Sequence, residues 1–275
     1  MNLSIAIPDS SLIDESTILY KTKKISIIGR TCAIFKINQI FIYQDEKGNK
    51  NDSMLLSTSL KYLETPQYFR KQLFPKTQLL KYAGVLQPLN ISKHLTTSNE
   101  KIIKIGDIRE ALIINYKGKK FLDIGINKHI PYFGKMKIGT RIAVQIKTTQ
   151  PKFTVKEISK ESIKDYWGYN VKERADLFSL LSTWKGKIIL TSKNGKIFTT
   201  TDAKKMTESD ESILVVFGTT KKGIYDILGT NIKKIQNTKI FNFFPNQATQ
   251  TVRLEEAILG TLSIINILNY NYIEC

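Results

Sequence analysis

Three short apolar runs in the last third of the chain restrict the fold more than any other feature. They are KIILTS (Lys187 to Ser192), SILVVFG (Ser212 to Gly218) and KIFNFF (Lys239 to Phe244), and each ends in a turn with its own chemistry. Strands spaced 20 to 30 residues apart, with helix-like segments between them, read as parallel βα units. Ligands of such sheets gather at the carboxyl ends of the strands, so a site here is expected to be built of turns. The third run passes through PNQATQT into the helical pattern VRLEEAILGTLSIINIL.

The first part of the chain repeats the pattern. LSIAIP (Leu3 to Pro8) reads as a strand, Ser16 to Phe35 as an amphipathic helix and QIFIYQD (Gln39 to Asp45) as the next strand. SMLLSTSLKYLE and TPQYFRKQLF read as two helices, with Pro66 in the first turn of the second. DYWGYNVKERADLFSLLSTW is expected to hold a helix in its second half. Between the two α/β parts the texture changes. REALIINYKGKKFLDIGINK alternates apolar and polar residues around a Lys117 to Lys119 turn, a hairpin signal, and GTRIAVQIKTT and KFTVKEIS alternate likewise. Four or five short strands with Gly turns predict a small barrel of OB type, a frequent nucleic-acid platform. One α/β domain (1–89 and 161–275) interrupted by one β domain (90–160) is the expected organisation.

Charge singles out that insert. The 275 residues carry 42 Lys and Arg against 24 Asp and Glu, a net +18 that favours a polyanionic partner, with nucleic acid ahead of an acidic membrane surface. Asn90 to Lys160 alone holds fifteen cations against five acids, which marks it as the expected docking surface. A second basic stretch, YLETPQYFRKQLFPKTQLLKYAG, interleaves aromatics with cations. Half of those aromatics are expected in helix cores, leaving Arg70, Lys71 and Lys76 as RNA-binding candidates beside Lys117, Lys119 and Lys120 of the insert.

Several function classes find no support. The longest apolar run of the C-terminal helix pattern, Ala257 to Leu268, falls short of the ~20 residues that cross a bilayer, and the N-terminus has no charged region ahead of an apolar core. Cys32 and Cys275 make neither a disulfide framework nor a zinc site, so a reducing cytoplasmic setting is expected. Cys32 falls mid-helix in an apolar context, which suits packing better than nucleophilic catalysis. His94 and His129, 35 residues apart, suggest neither a metal site nor a catalytic triad.

The segments AIPDS, GRTCAIFKINQIFIY, KYLETPQYFRKQLFPKTQLLKYAGVLQPLN, YWGYNV, LVVFG and TVRLEEAI resemble, in this order, the SPOUT superfamily of RNA methyltransferases. Within it they are similar to the archaeal and eukaryotic uridine-N3 branch, over about two thirds of the chain. The resemblance implies an α/β domain whose C-terminal segment is threaded into a trefoil knot, an inserted OB-like domain, a homodimer, and S-adenosylmethionine bound in the knot near the partner subunit. Carried onto this sequence it implies three cofactor loops. Thr191, Ser192 and Asn194 belong to the first, Phe217, Gly218 and Gly223 to the second. Asn242, Phe243, Phe244, Gln247, Thr251 and Val252 belong to the third, where backbone amides matter more than stacking. Arg30, in the segment similar to the first motif of knotted methyltransferases, is the leading catalytic candidate; it competes with a helix-surface ion pair. Arg253 and Glu255 follow it, with Glu255 or Glu256 serving as base or holding Arg253. The implied reaction is methylation of ribosomal RNA at uridine N3. Pseudouridine N1, a ribose 2′-hydroxyl and an inactive RNA-binding scaffold are the alternatives.

Overall fold

The computed structural model describes residues 2–94, 97–219 and 222–270, in two compact units. One comprises residues 2–63, 77–88 and the chain from Tyr169 onward; the other comprises Glu64–Lys76 and Leu89–Gly168.

In chain order the first unit contributes β1 (Leu3–Pro8), α1 (Ile18–Ile34), β2 (Gln39–Tyr43) and the helix α2 (Lys50–Glu64). The second unit follows with α3 (Gln67–Leu73), β3 (Ile108–Tyr116), β4 (Lys119–Asp123), β5 (Ile130–Pro131), β6 (Arg141–Thr148) and β7 (Thr154–Ile158). The first unit resumes with β8 (Asn170–Arg174), α4 (Leu177–Thr183), β9 (Lys187–Ile197), α5 (Thr200–Thr207), β10 (Ile213–Val216), α6 (Ile224–Leu228), β11 (Thr238–Asn242) and α7 (Leu254–Tyr270).

The first unit is a six-stranded parallel sheet in the order β11-β9-β10-β1-β2-β8. All residues of β1 and β10 are buried, as expected of parallel strands covered on both faces. On one face Leu177, Leu180, Ile224 and Leu228 close over Ala6, Phe41, Leu190, Leu214 and Val216. Ile25, Ile28 and Cys32 of α1 and Ile258, Leu262 and Ile265 of α7 are also buried. The chain steps from β9 to β10 and then skips back over β9 to reach β11. Such a reversal of strand order opens a crevice at the carboxyl ends.

Three expectations are corrected here. TSKNG is not a chain-reversing turn: β9 continues through it to Ile197, and pairing with β11 jumps from Leu190↔Ile240 to Lys196↔Phe241, so residues 191–195 bulge out. Gly195 allows this because a Cβ there would lie 2.7 Å from the Phe241 carbonyl carbon. NVKER is a strand that the sequence reading missed; β8 is a charged edge strand drawn into the sheet by β2. Pro66 stands one position ahead of the helix, as the N-cap of α3.

The second unit is a five-stranded antiparallel sheet, β5-β4-β3-β6-β7. Lys117 and Gly118 at the β3–β4 turn have φ of 50° and 77°, the pair of positive values a tight hairpin requires. Ile113, Leu122, Ile124, Ile142, Val144 and Ile146 make the core on one face. On the other, β3 buries charge.

That charge corrects the expectation that the insert's cations are surface cations. Lys93 is fully buried, paired with Glu64 and, at 3.3 Å, with Glu110. Arg141 reaches Glu64 and Glu110 at 2.8 Å each. Burial alone would lower the Arg141 pKa, but the two carboxylates outweigh it and raise it. Burial likewise pulls Lys93 below the ordinary lysine range while Glu64 and Glu110 pull it back. Arg109, also buried, donates to the carbonyls of Ile124 (2.9 Å) and Thr97 (2.5 Å).

Candidate functional site

A cavity of about 550 Å³ opens at the carboxyl ends of β9, β10 and β11, beside the start of α7. All twelve residues expected in the cofactor loops line it, although β9, β10 and β11 deliver them from three separate stretches of sequence. The β9 bulge brings Thr191, Ser192 and Asn194; the end of β10 brings Phe217, Gly218 and Gly223; the segment after β11 brings Asn242, Phe243, Phe244, Gln247, Thr251 and Val252. Lys221, within the second expected loop, lies outside the described residues, as does Cys275.

Hydrogen bonds show which polar groups hold the walls and which face inward. The Thr191 hydroxyl donates to the Val216 carbonyl at 2.9 Å, tying the bulge to β10. Asn242 Nδ2 donates to the Lys193 carbonyl at 2.9 Å, and its Oδ1 accepts the Phe244 N–H at 2.8 Å. One amide thus staples the bulge to the turn after β11. At the second wall, Lys222 N–H donates to Thr219 Oγ1 (2.9 Å) and Gly223 N–H to Asp226 Oδ2 (3.0 Å). Tyr43, wholly buried, donates its hydroxyl to the Phe217 carbonyl at 2.7 Å and sets the end of β10.

The two aromatics of the third loop have packing duties. Phe243 is buried 4.7 Å from the Phe198 ring and 6.3 Å from Phe241. Phe244 rests on Gly260 of α7, where a Cβ would lie 2.5 Å from the ring. Both rings also form part of the cavity wall.

The lining suits a nucleoside-like ligand with an apolar and a polar part. Phe217, Phe241, Val252, Leu254 and Ala257 supply apolar surface, and Ser192, Asn194, Gln247, Gln250 and Thr251 supply donors and acceptors. Thr261 also lines the cavity, and its fully buried hydroxyl has no hydrogen-bond partner among the described residues. A buried hydroxyl left alone is costly, and a ligand polar atom would satisfy it.

The three catalytic candidates separate. Arg253 lines the cavity; its side chain is 62% exposed, 3.6 Å from Glu15. Its own N–H donates to Glu256 Oε2 at 2.9 Å, so Glu256 caps α7. Glu255 lies in a neighbouring, more open hollow and pairs with Lys24 of α1 at 3.1 Å, so neither acid holds the Arg253 guanidinium. Arg30 lines neither hollow, and its guanidinium donates to the Pro88 carbonyl. Asp14, which the sequence reading missed, lines both hollows and accepts from buried Lys24 at 2.7 Å. Its only sequence signal was its place six residues after the first strand.

Of the RNA-binding candidates, Lys71, Lys76, Lys117 and Lys119 are exposed. Arg70 is turned to the Thr65 carbonyl (3.0 Å), and Lys120 Nζ donates to the Met136 carbonyl at 2.8 Å. Cys32 is fully buried, and burial pushes its thiol up, which disarms it as a nucleophile. Among the described residues no three His, Cys, Asp or Glu side chains group as metal ligands, and no helix is long and apolar enough to cross a membrane.

Residues 2–265 match the family described as "putative RNA methyltransferase". The chain is 26% identical to the human 28S rRNA (uridine-N(3))-methyltransferase, over 96% of this chain and 77% of that one. The mouse protein of the same name is 27% identical, over 96% and 75%. A Halobacterium salinarum protein described as uncharacterised is 24% identical, over 97% of this chain and 99% of that one. A cavity at the strand ends of a parallel sheet, a basic chain and a match along nearly its whole length have one reading: the chain belongs to this RNA methyltransferase family and is a transferase enzyme.

Proposed function

We propose that the protein methylates N3 of an unpaired uridine in ribosomal RNA, with S-adenosylmethionine as methyl donor held in the 550 Å³ cavity. The observation that carries this reading is the convergence of all three expected cofactor loops on that cavity, in a chain whose relatives bear uridine-N3 names. When bound, the donor supplies a methyl group already activated on sulfonium. The protein's part is to orient the donor, align the acceptor nitrogen and exclude water. Ser192, Asn194, Thr251 and Thr261 offer polar contacts to a ribose and amino-acid portion, and Phe217, Val252 and Leu254 an apolar slot for the base. Arg253 at the cavity stabilises the imide anion that forms when N3 loses its proton, and Asp14 is the carboxylate placed to accept that proton. N3 is engaged in pairing within a duplex, so the target base must be unpaired or extruded.

The same reading threads the C-terminal segment as a trefoil knot, takes the antiparallel unit as an OB-type platform and places the enzyme in the cytoplasm. It also makes the protein a homodimer. Tyr20, Ile27 and Ile34 recur every seven residues along α1, 51%, 48% and 58% exposed, and Leu259 and Ile267 of α7 are exposed too. A second copy covering these residues would remove a costly apolar stripe from water. Arg30 lies on the same helix, so its role is assigned to the cavity of the partner subunit. Arg30→Ala is expected to lower turnover with cofactor affinity unchanged, and mixing it with a cavity-defective variant is expected to restore activity that neither has alone.

The deciding measurements are calorimetry with S-adenosylhomocysteine and nucleoside mass spectrometry of RNA from a deletion strain. Binding heat and loss of 3-methyluridine support the proposal. Loss of N1-methylpseudouridine or of a ribose-methylated nucleoside moves the reaction to another atom. A folded protein without binding heat is an RNA-binding scaffold instead.

A further inference from the structure

The antiparallel unit displays a ring left almost wholly in water among the described residues. Phe133, in the segment between β5 and β6, is 95% exposed. The backbone around it is held from both sides: the Tyr132 N–H donates to the Lys120 carbonyl at 3.0 Å, and Lys120 Nζ donates to the Met136 carbonyl at 2.8 Å. The Tyr132 hydroxyl donates to Glu157 at 3.2 Å, and Gly134 leaves space for the Tyr132 ring that a Cβ would strike. A phenyl ring held in water on a braced loop is unfavourable for the isolated chain.

Its surroundings specify what could cover it. Lys135 and Lys137, two and four residues further along the chain, are exposed, as are Lys117 and Lys119 on the β3–β4 turn. Between residues 116 and 138 the sole acid is Asp123, which is buried, and among the described residues Lys117, Lys119, Lys135 and Lys137 make no ion pair, the nearby Glu157 accepting from Tyr132 instead. Tyr116 adds a second ring, 42% exposed and packed edge-on against His129 at 5.0 Å, with Lys117 Nζ 5.4 Å from its centroid. Cations grip phosphates, while a phenyl ring has no hydrogen-bonding group and can recognise a base only by its face. Base faces are accessible in unpaired RNA and hidden in a duplex.

We propose that Phe133 is a base-stacking platform for an unpaired segment of the substrate RNA, framed by phosphate-holding Lys117, Lys119, Lys135 and Lys137. The proposal rests on the RNA methyltransferase reading and adds to it a strandedness preference set outside the cofactor cavity.

The test compares the full-length protein with Phe133→Ala and Phe133→Trp, using labelled oligouridine and an RNA duplex of equal length as probes. Phe133→Ala is expected to weaken oligouridine binding roughly 5- to 100-fold, with the duplex unaffected. The slope of log affinity against log salt should not change, since no phosphate contact is lost. Phe133→Trp should keep the affinity and show quenching of its added indole emission on the single strand. Unchanged oligouridine binding by Phe133→Ala overturns the proposal, as does an equal loss on the duplex. Loss of binding to anionic lipid vesicles in place of RNA overturns it in favour of a membrane surface. Calorimetry with S-adenosylhomocysteine keeps the two readings apart. Normal heat in a protein with no affinity for oligouridine overturns the platform and leaves the enzyme reading standing. Absent heat overturns the enzyme reading, and the oligouridine comparison then decides the platform alone.

Discussion

In the parallel unit, β1 and β10 are buried along their whole length, and polar side chains collect where β9, β10 and β11 end. In the antiparallel unit, β3 is buried at five consecutive positions, Arg109 to Ile113, with a hydrocarbon core on one face and Glu110 of the ionic cluster on the other. The two units therefore treat polar chemistry in opposite ways. One leaves a hydroxyl and a ring of amides around a cavity; the other ties up Lys93 and Arg141 with Glu64 and Glu110 inside and leaves other lysines, Lys117 and Lys119 among them, exposed. Parallel strands covered by helices on both faces have nowhere to place polarity but their ends. An antiparallel sheet with one covered face can tolerate charge on the other when each charge meets an opposite one.

The largest effect that could break this contrast is on the buried quartet. Glu64→Ala strips Lys93 and Arg141 of a shared carboxylate and should destabilise the antiparallel unit by about 3–5 kcal/mol in urea titrations. S-adenosylhomocysteine binding should persist at denaturant concentrations where that unit has unfolded; simultaneous loss would mean that the units are not separable.

His94 supplies the next effect, through pH. Burial pushes its pKa down to about 4 from the ordinary 6.5, outweighing the Glu64 carbonyl oxygen, which lies 2.8 Å from Nε2 and favours the charged ring. Its contribution is complete above pH 6.5 and disappears as pH falls toward 4, because the unfolded chain takes the proton first. The loss is on the order of 3 kcal/mol, and His94→Gln should flatten the stability profile across that window.

For the cavity, Gly195→Ala puts a methyl group against the β11 backbone and forces the bulge to shift. A cost of about 1–3 kcal/mol is expected, with a clear drop in S-adenosylhomocysteine affinity and no change in RNA binding. The smallest stability effect belongs to the loop-tip cations. Replacing Lys117 and Lys119 with Gln should alter stability by less than ~0.5 kcal/mol while reducing the salt dependence of RNA binding by roughly 0.7 per lost phosphate contact. An unchanged slope would remove that turn from the RNA surface.

How far these features could be read in advance depended on whether the cause was local. The strands at Leu3, Ser212 and Lys239, the helices at Ile18 and Leu254 and the hairpin at Lys117 were legible because apolar runs, helical periodicity and a Gly turn act within a few residues. β8 was not, because NVKER has one apolar residue and becomes a strand only by pairing with β2. TSKNG looked like a turn because Asn-Gly forms one by default; pairing of β9 with β11 on both sides made it a bulge. Lys93, Arg109 and Arg141 counted as docking charges until their partners were seen, since charge per residue carries no information about burial.

By itself, the sequence determined the apolar strands, the long helices, the Lys117 hairpin turn and the strongly basic character of the chain, each a property of neighbouring residues. The tertiary structure alone decided that three distant turns share one cavity, that Asp14 rather than Arg30 lines it, and which cations are spent inside. Those outcomes depend on strand order and on long-range pairing, where the free energy of a side chain is set by groups far away in sequence, as Tyr43 is held by Phe217.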